Sequence, residues 1–346
     1  MSHKAFRRFQ ISNVEGTPGT PEAAVEVLSG VLTTFEGGEV VHQPEEDRNS
    51  LALHHGNAEI IGTEAHLVWT GDLNFRHICW QLAMAICGNI TPTQPDAENE
   101  PLSYLWTFVP ALTAVNTPDQ ANGIDTFTME YGDNTEVYEA EHCFATRIQI
   151  SGRPNDTVRV TVDITGRQQS VVETFTAGLT MQAVQRAAFN RCKLYINDSG
   201  AAIGTTQKTS LMRAFTWTLD TKFRPWYTGD GNLYFTSVEE GQKAPELELT
   251  LPWGTVTQAE RAAFLAQTTR FIRLECWGSA EMDEEEANPP YLQLDGAYSL
   301  PEWPTAQGED EGRSTVVLKY VGLHDATWGK MYQAAVKTNL ASYPGA

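Results

Sequence analysis

Positive charge is scarce in this chain of 346 residues: 24 lysines and arginines stand against 44 aspartates and glutamates, a formal charge of −20. Phosphate binding needs clustered Lys and Arg, so such a surface repels nucleic acid, and it repels an anionic membrane for the same reason. Long apolar runs are missing as well: no stretch approaches the ~18 apolar residues of a membrane-spanning helix. The basic, aromatic opening Met1–Gln10 has no apolar run behind it and does not read as a secretory leader. Cysteine is sparse, odd in number and scattered (Cys79, Cys87, Cys143, Cys192, Cys276), with no C-x-x-C. That argues against a disulfide framework or a zinc site and for free thiols in a reducing cytoplasm. Catalytic signatures are lacking too: there is no G-x-S-x-G, no H-E-x-x-H and no kinase-type set.

What is present is a chain that can bury a large core. Hydrophobic residues make up 41% and aromatic residues 10%, and the length suits two domains better than one. Residues 1–35 read as an extended N-terminal arm. Its segment Gly16-Thr17-Pro18-Gly19-Thr20-Pro21 resists helix and central strand alike, and Val25, Val27, Leu28, Val31 and Leu32 need another surface to lie on, either the arm's own domain or a neighbour.

A mainly β (α+β) chain is expected beyond it. Glu64–Thr70 alternates apolar and polar except at Val68, and the next helix is expected from an Asp72 cap to a Gly88 stop, with Phe75, Cys79, Leu82 and Ile86 at helical spacing. Strands follow at Tyr104–Val109, Asp125–Tyr131, His142–Ser151 and Thr157–Thr165. The last has Val158, Val160, Val162 and Ile164 on one face, and the turn formers from Ser151 to Asp156 make a hairpin of the final pair. The second half reads similarly. Met212–Thr221 and Glu246–Leu251 are strands, and Thr257 with Glu260 forms a capping box for a helix to about Gln267. Ile272–Cys276, Leu292–Tyr298 and Ser314–Val321 complete the sheet. A linking helix is expected at Gln182–Phe189, and acidic surface loops at Glu281–Asn288 and Gln307–Gly312. The order strand, helix, further strands occurs twice, so the expectation is two tandem β-sandwich or half-barrel units, 36–170 and 171–346, each with a flanking helix.

Candidate chemistry is thin. His54, His55, His66 and His77 cluster in sequence without a metal-ligand spacing, and packed or solvated histidines are the ordinary reading. Glu281 and Asp283–Glu286 lack the alternation and internal Gly of a calcium loop. Gly16–Pro21 lacks the G-K-[ST] of a phosphate loop, and Asp230-Gly231-Asn232 is a turn. The nine tryptophans, Trp69, Trp80 and Trp106 among them, suit a core or an interface better than a sugar platform. No catalytic, cofactor-binding or metal-binding residue is assigned, no cofactor is expected, and an enzyme is not the expected class.

Three segments resemble the major tail tube proteins of long-tailed (siphovirus-type) bacteriophages. They are the arm Glu15–Pro21; His142–Gly152 with Thr157–Gly166, similar to that family's central hairpin; and Val321–Lys330 with Asn339 and Leu340, similar to its closing Asp-to-Gly loop and final apolar strand. The length resembles a subfamily with the tube domain duplicated in one chain. The resemblance implies a structural virion protein whose partner is itself, in homotrimeric rings of pseudo-sixfold symmetry stacked into a tube. It implies contacts with tape measure, tail tip and terminator proteins, and assembly in the host cytoplasm. The arm, the Gly152–Asn155 loop and the C-terminal segment are the expected ring-to-ring contacts. Genomic DNA would pass through an acidic bore without specific binding, and no membrane is involved. The competing expectation is a β-sandwich module that binds carbohydrate or a receptor.

Overall fold

The computed structural model describes residues 7–42, 58–88, 90–113, 123–133, 135–183, 185–282, 288–305 and 307–344. Among them nineteen strands and two α-helices form. In chain order they are β1 (Arg8–Val14), β2 (Ala24–Val27), β3 (Val31–His42), β4 (Glu59–Asp72), α1 (Ile78–Ala85), β5 (Tyr104–Phe108), β6 (Phe127–Gly132), β7 (Val137–Gly152), β8 (Arg159–Gly166) and β9 (Gln168–Val172). Then come β10 (Cys192–Asn197), β11 (Ala214–Asp220), β12 (Phe223–Trp226), β13 (Ser237–Glu240), β14 (Pro245–Pro252), α2 (Thr255–Leu265), β15 (Arg270–Trp277), β16 (Tyr291–Ser299), β17 (Gly308–Asp310), β18 (Arg313–Gly322) and β19 (Tyr332–Thr338). The chain is mainly β, and every strand pairing is antiparallel.

One large sheet runs β3-β4-β8-β7-β11-β14-β18-β17. Behind it lie two smaller arrays, β2-β1-β6-β7-β9 and β10-β15-β16-β19-β5. Strand β7 belongs to two layers. Its first part, Val137–Cys143, pairs with β6 and β9, and its second part, Phe144–Gly152, pairs with β8 and β11. The strand turns at His142, which takes φ 52, a left-handed conformation that a non-glycine residue adopts only where its surroundings impose it.

The pairings before and after residue 180 correspond. The set β1–β6, β6–β7, β7–β9, β3–β4, β4–β8 and β8–β7 is matched by β10–β15, β15–β16, β16–β19, β11–β14, β14–β18 and β18–β17, and α1 follows β4 as α2 follows β14. One continuous apolar cluster runs through both sets, from Leu67, Trp69 and Ile148 to Trp217, Leu249 and Leu318. Alternation builds it: β8 buries Val160, Val162 and Ile164 and turns Thr161, Asp163 and Thr165 the other way. Gly30 (φ 126) opens β3 where a Cβ would stand 2.7 Å from the Trp69 indole nitrogen, so only glycine fits there.

Several expectations are corrected. The stretch expected to be an irregular arm supplies β1, β2 and the start of β3, and β1 is paired on both edges, so this segment is part of its own chain's core. Asp72 ends β4 and binds Thr157 (2.7 Å) and Arg186 (2.9 Å); Asn74 instead receives the Arg76 N–H (2.9 Å) ahead of α1, which stops at Ala85, short of Gly88. Thr257 does not cap α2 from outside but sits one turn in, accepting the Gly254 N–H at 2.8 Å. Glu260 turns inward to Arg270 (2.7 and 3.0 Å) and Tyr320 (3.0 Å). The described residues of Gln182–Phe189 form no α-helix, and Gln307–Gly312 is the β17–β18 hairpin, not a loop. His54, His55 and Asp283–Glu286 lie outside the described residues.

The first segment is locked by a buried carboxylate. Glu15 accepts from Gly19 N (2.9 Å), Thr126 Oγ1 (2.9 Å), Thr128 Oγ1 (2.8 Å) and His142 N (2.8 Å), so it fixes the turn after β1 and the bend of β7 together. Glu15→Ala, which leaves those donors unpaired in the interior, is expected to lower stability by about 3 kcal/mol in urea unfolding, and Glu15→Gln by less.

Candidate functional site

The large sheet has one apolar and one polar face. The register carries a polar row across six strands, Thr70, Thr161, Gln149, Thr218, Glu246 and Val321, only its last member being apolar. Gln149 Nε2 donates to Thr218 Oγ1 at 3.2 Å within it. Adjacent rows on the same face place Arg147 between Asp163 and Asp220, and Lys319 3.4 Å from Glu248. With Glu36 and Glu64 added, carboxylates outnumber cations on this face. Threonine dominates because its branched side chain suits a strand and its hydroxyl suits water.

Both ends of this sheet are edges. Among the described residues no strand pairs with the outer side of β3 or of β17. β17 is short and acidic. β3 is long, and it exposes Val31, Phe35 (42%), Val40 and Val41 (51%), with Ile60 and Ile61 exposed on its partner β4. Beside it lies a groove of about 510 Å³ lined by Phe9, Leu28, Val31, Phe35, Tyr131 and Tyr138. Its rings stand 5.7–6.5 Å apart, and the Arg7 guanidinium lies 5.7 Å over Phe35. At the other end of the chain fold, α2 exposes Leu265 (73%) next to a Trp253–Trp303–Phe264 cluster with ring centroids 6.1 and 6.4 Å apart.

Comparison with protein-family models and with curated proteins returns no match.

The positions singled out in the sequence fall as follows. Trp69, Trp80 and Trp106 are all buried, so none forms a sugar platform. His77 is buried against Glu26 (3.4 Å), Asn74 (3.0 Å) and Ser29 (3.1 Å), a packing role, and His66 stands on the polar face opposite Glu36 and Thr165. Among the described residues no group of three His, Cys, Asp or Glu side chains converges as a metal site. The Arg153–Asn155 tip of the β7–β8 hairpin is exposed. In the C-terminal segment Leu340 and Tyr343 are buried, while Asn339, Ala341 and Ser342 are exposed: Tyr343 packs on Trp80 (4.8 Å), Trp106 (4.9 Å) and Phe127 (5.8 Å), and Trp106 Nε1 donates to Leu340 O at 2.7 Å. The β3 edge escaped the sequence reading because Gly37-Gly38 interrupts it; the alternation of Val31, Thr33 and Phe35 was the signal available.

A cluster of carboxylates borders the groove's sheet. Burial pushes Glu141 up to about 7, with Glu15 and Glu139 adding repulsion and Arg167 opposing. A raised carboxyl pKa means the folded chain binds more protons than the unfolded one between about pH 4.5 and 7, so this group's contribution falls as pH rises through that window. Glu141→Gln is expected to flatten that slope and to raise the urea midpoint above wild type at pH values above 7. An unchanged slope between about pH 5 and 8 would contradict it.

Proposed function

We propose that this chain is a structural protein that assembles with copies of itself into rings that stack as a tube, the tail tube of a long-tailed bacteriophage. One observation carries the reading: the junction between the two corresponding sets of strands. Within the chain, β7 of the first set pairs with β11 of the second over six register pairs, Arg147↔Asp220 to Gly152↔Phe215. In the second set, β17 corresponds to the second part of β7, the part that pairs with β8 and β11, and the strand corresponding to β11 in the first set is β3. Among the described residues those are the two strands of the large sheet with unpaired outer edges. A second copy offering β3 to β17 would repeat the internal junction, and the operation would repeat again with the next copy.

On this reading the corresponding sets are two tandem tube-type units, with β1 belonging to the first, β9 closing it and the division falling between Val172 and Cys192. Head-to-tail contacts of this kind make a ring when the rotation closes. Three copies of the eight-stranded sheet would then form one barrel with no free edge and six similar units around it. The Thr-rich polar face, acidic on balance, would line the bore and keep phosphates from binding as DNA slides past. The Arg153–Asn155 tip remains as a ring-to-ring contact.

Concentrated full-length protein is expected to form hollow tubes in negative stain. Val40→Glu with Val41→Glu, both already exposed, should leave the monomer's circular dichroism and unfolding midpoint unchanged and raise the concentration needed for assembly by at least about tenfold. A wild-type chain that stays monomeric at every concentration and in the presence of a tail initiator, or tubes indifferent to the β3 substitutions, would contradict the proposal.

A second reading, carbohydrate or receptor binding, is favoured by Trp226 and Tyr227, half exposed on the β12–β13 hairpin beside the Asp230–Asn232 turn. Retention on a glycan array that is lost in Trp226→Ala would favour it over assembly.

A further inference from the structure

Five cysteines are free, and only two of them meet. Cys192 on β10 and Cys276 on β15 are directly opposite each other in the register, with their sulfurs 3.1 Å apart. Directly opposed residues of an antiparallel pair have Cα atoms about 4.5–5.5 Å apart, inside the range of about 4.4–6.8 Å that a disulfide spans. Both side chains stand on one face, so closing the bond needs movement of the sulfurs and not of the strands. Cys192 is half buried and Cys276 fully buried. Cys79 and Cys143 lie singly in the core, and Cys87 is half buried beyond α1.

We propose that Cys192 and Cys276 are a redox site: they stay reduced while the chain is made and join as an intrachain disulfide when the folded protein meets a peroxide-class oxidant. The Cys192 sulfur, on the less buried residue of the two, attacks one peroxide oxygen. The O–O bond breaks, the departing hydroxide takes up a proton to leave as water, and Cys192 becomes a sulfenic acid. The Cys276 sulfur then attacks the Cys192 sulfur, the S–O bond breaks, and a second water leaves with the proton of the Cys276 thiol. Two thiols lose two electrons and two protons, and one peroxide is reduced to two waters. The order follows from access. Its hydrogen bond with Cys192, together with burial, pushes the Cys276 thiol well up, so it waits as the resolving partner. The bond would tie β10, the first strand after the crossing between the two sets, to β15 across 84 positions of sequence, a constraint on the unfolded chain that grows with loop length. None of this rests on the assembly proposal.

The test uses the full chain treated with hydrogen peroxide, then denatured in a thiol-trapping reagent. Thiols should fall from five to three, a non-reducing peptide map should join the peptides holding Cys192 and Cys276, the intact mass should drop by two hydrogens, and dithiothreitol should reverse all three. Oxidation should also raise the thermal midpoint by roughly 5 °C in wild type and not in Cys192→Ser, a substitution of similar size at a partly buried site. Five thiols surviving peroxide that oxidises free glutathione, a sulfinic acid at Cys192 without a cross-link, a link through Cys79, Cys87 or Cys143, or a 192–276 link that forms only in urea would each overturn the proposal.

Discussion

The architecture depends on one ladder of backbone hydrogen bonds, the six register pairs that join β7 to β11. Strand β7 is long enough to serve two layers because it turns at His142, and that turn is held from outside by the Glu15 carboxylate on the His142 N–H. With β7 so placed, its second part has β8 on one side and β11 on the other, and the large sheet passes without interruption from one set of strands to the next. The remaining contacts across the crossing follow from it. β5 reaches over to pair with β19, and the β12–β13 segment settles against β4, where the Thr63 N–H donates to Leu233 O at 2.8 Å. The Arg167 guanidinium stacks 4.2 Å from the Tyr234 ring centroid and donates to Phe235 O. Tyr343 closes over α1. The two sets share one core, so neither is expected to be stable alone.

A continuous sheet with strict alternation separates two kinds of chemistry by residue parity. Odd-numbered positions of β11 (Phe215, Trp217, Leu219) enter the core, and even-numbered ones (Thr216, Thr218, Asp220) form the polar face. A slip of one residue at the β7–β11 junction would reverse both, so register there is strongly determined. The same parity keeps Arg147 between two carboxylates and prevents a basic patch on a face where acidic groups are in excess. On the proposed reading, that excess of acidic charge is what keeps phosphates off this face.

Much of the fold was legible because alternation is a local property. β8, β11, β14, β15, β16 and β18 each carry an apolar residue at every second position, and both helices show their spacing. What was not legible depends on long-range partners. The Gly16–Pro21 turn looked like the mark of an irregular arm, yet β1 precedes it as an ordinary strand because β6 supplies its ladder from more than a hundred residues away. Asp72 and Thr257 looked like caps by residue type, and tertiary partners took the first while a shift in the helix start changed the role of the second. β19 lacks the alternation signal because it reads Tyr-Gln-Ala-Ala-Val, whereas β10 carries a short one, Cys192, Leu194 and Ile196 against Lys193, Tyr195 and Asn197, that the turn formers around it obscured. Of the candidate surface, only the exposed β7–β8 tip was foreseen. The β3 strand was missed because Gly37-Gly38 interrupts it, and that its outer side is an edge is a property of its partners, which no local pattern encodes.

The two helices argue for how the open surfaces would be used. They occupy corresponding places, after β4 and after β14, yet α1 buries all eight of its residues and α2 buries two of eleven. The difference lies in what covers them: α1 packs on β7 and is also covered by β19 and Tyr343, which come from the second set, and among the described residues no element in the corresponding place covers α2. A single exposed leucine is ordinary on a protein surface. Leu265 beside Phe264, Trp253 and Trp303, in the place where the sister helix is sealed, is a surface shaped like an interior one. That surface and the β3 edge belong to different sets, so a contact joining them would be head-to-tail and not isologous. A two-fold dimer joined through β3 would leave both β17 edges unpaired; on the proposed reading, only a repeating operation lets every copy give its neighbour what its own first set receives from its second.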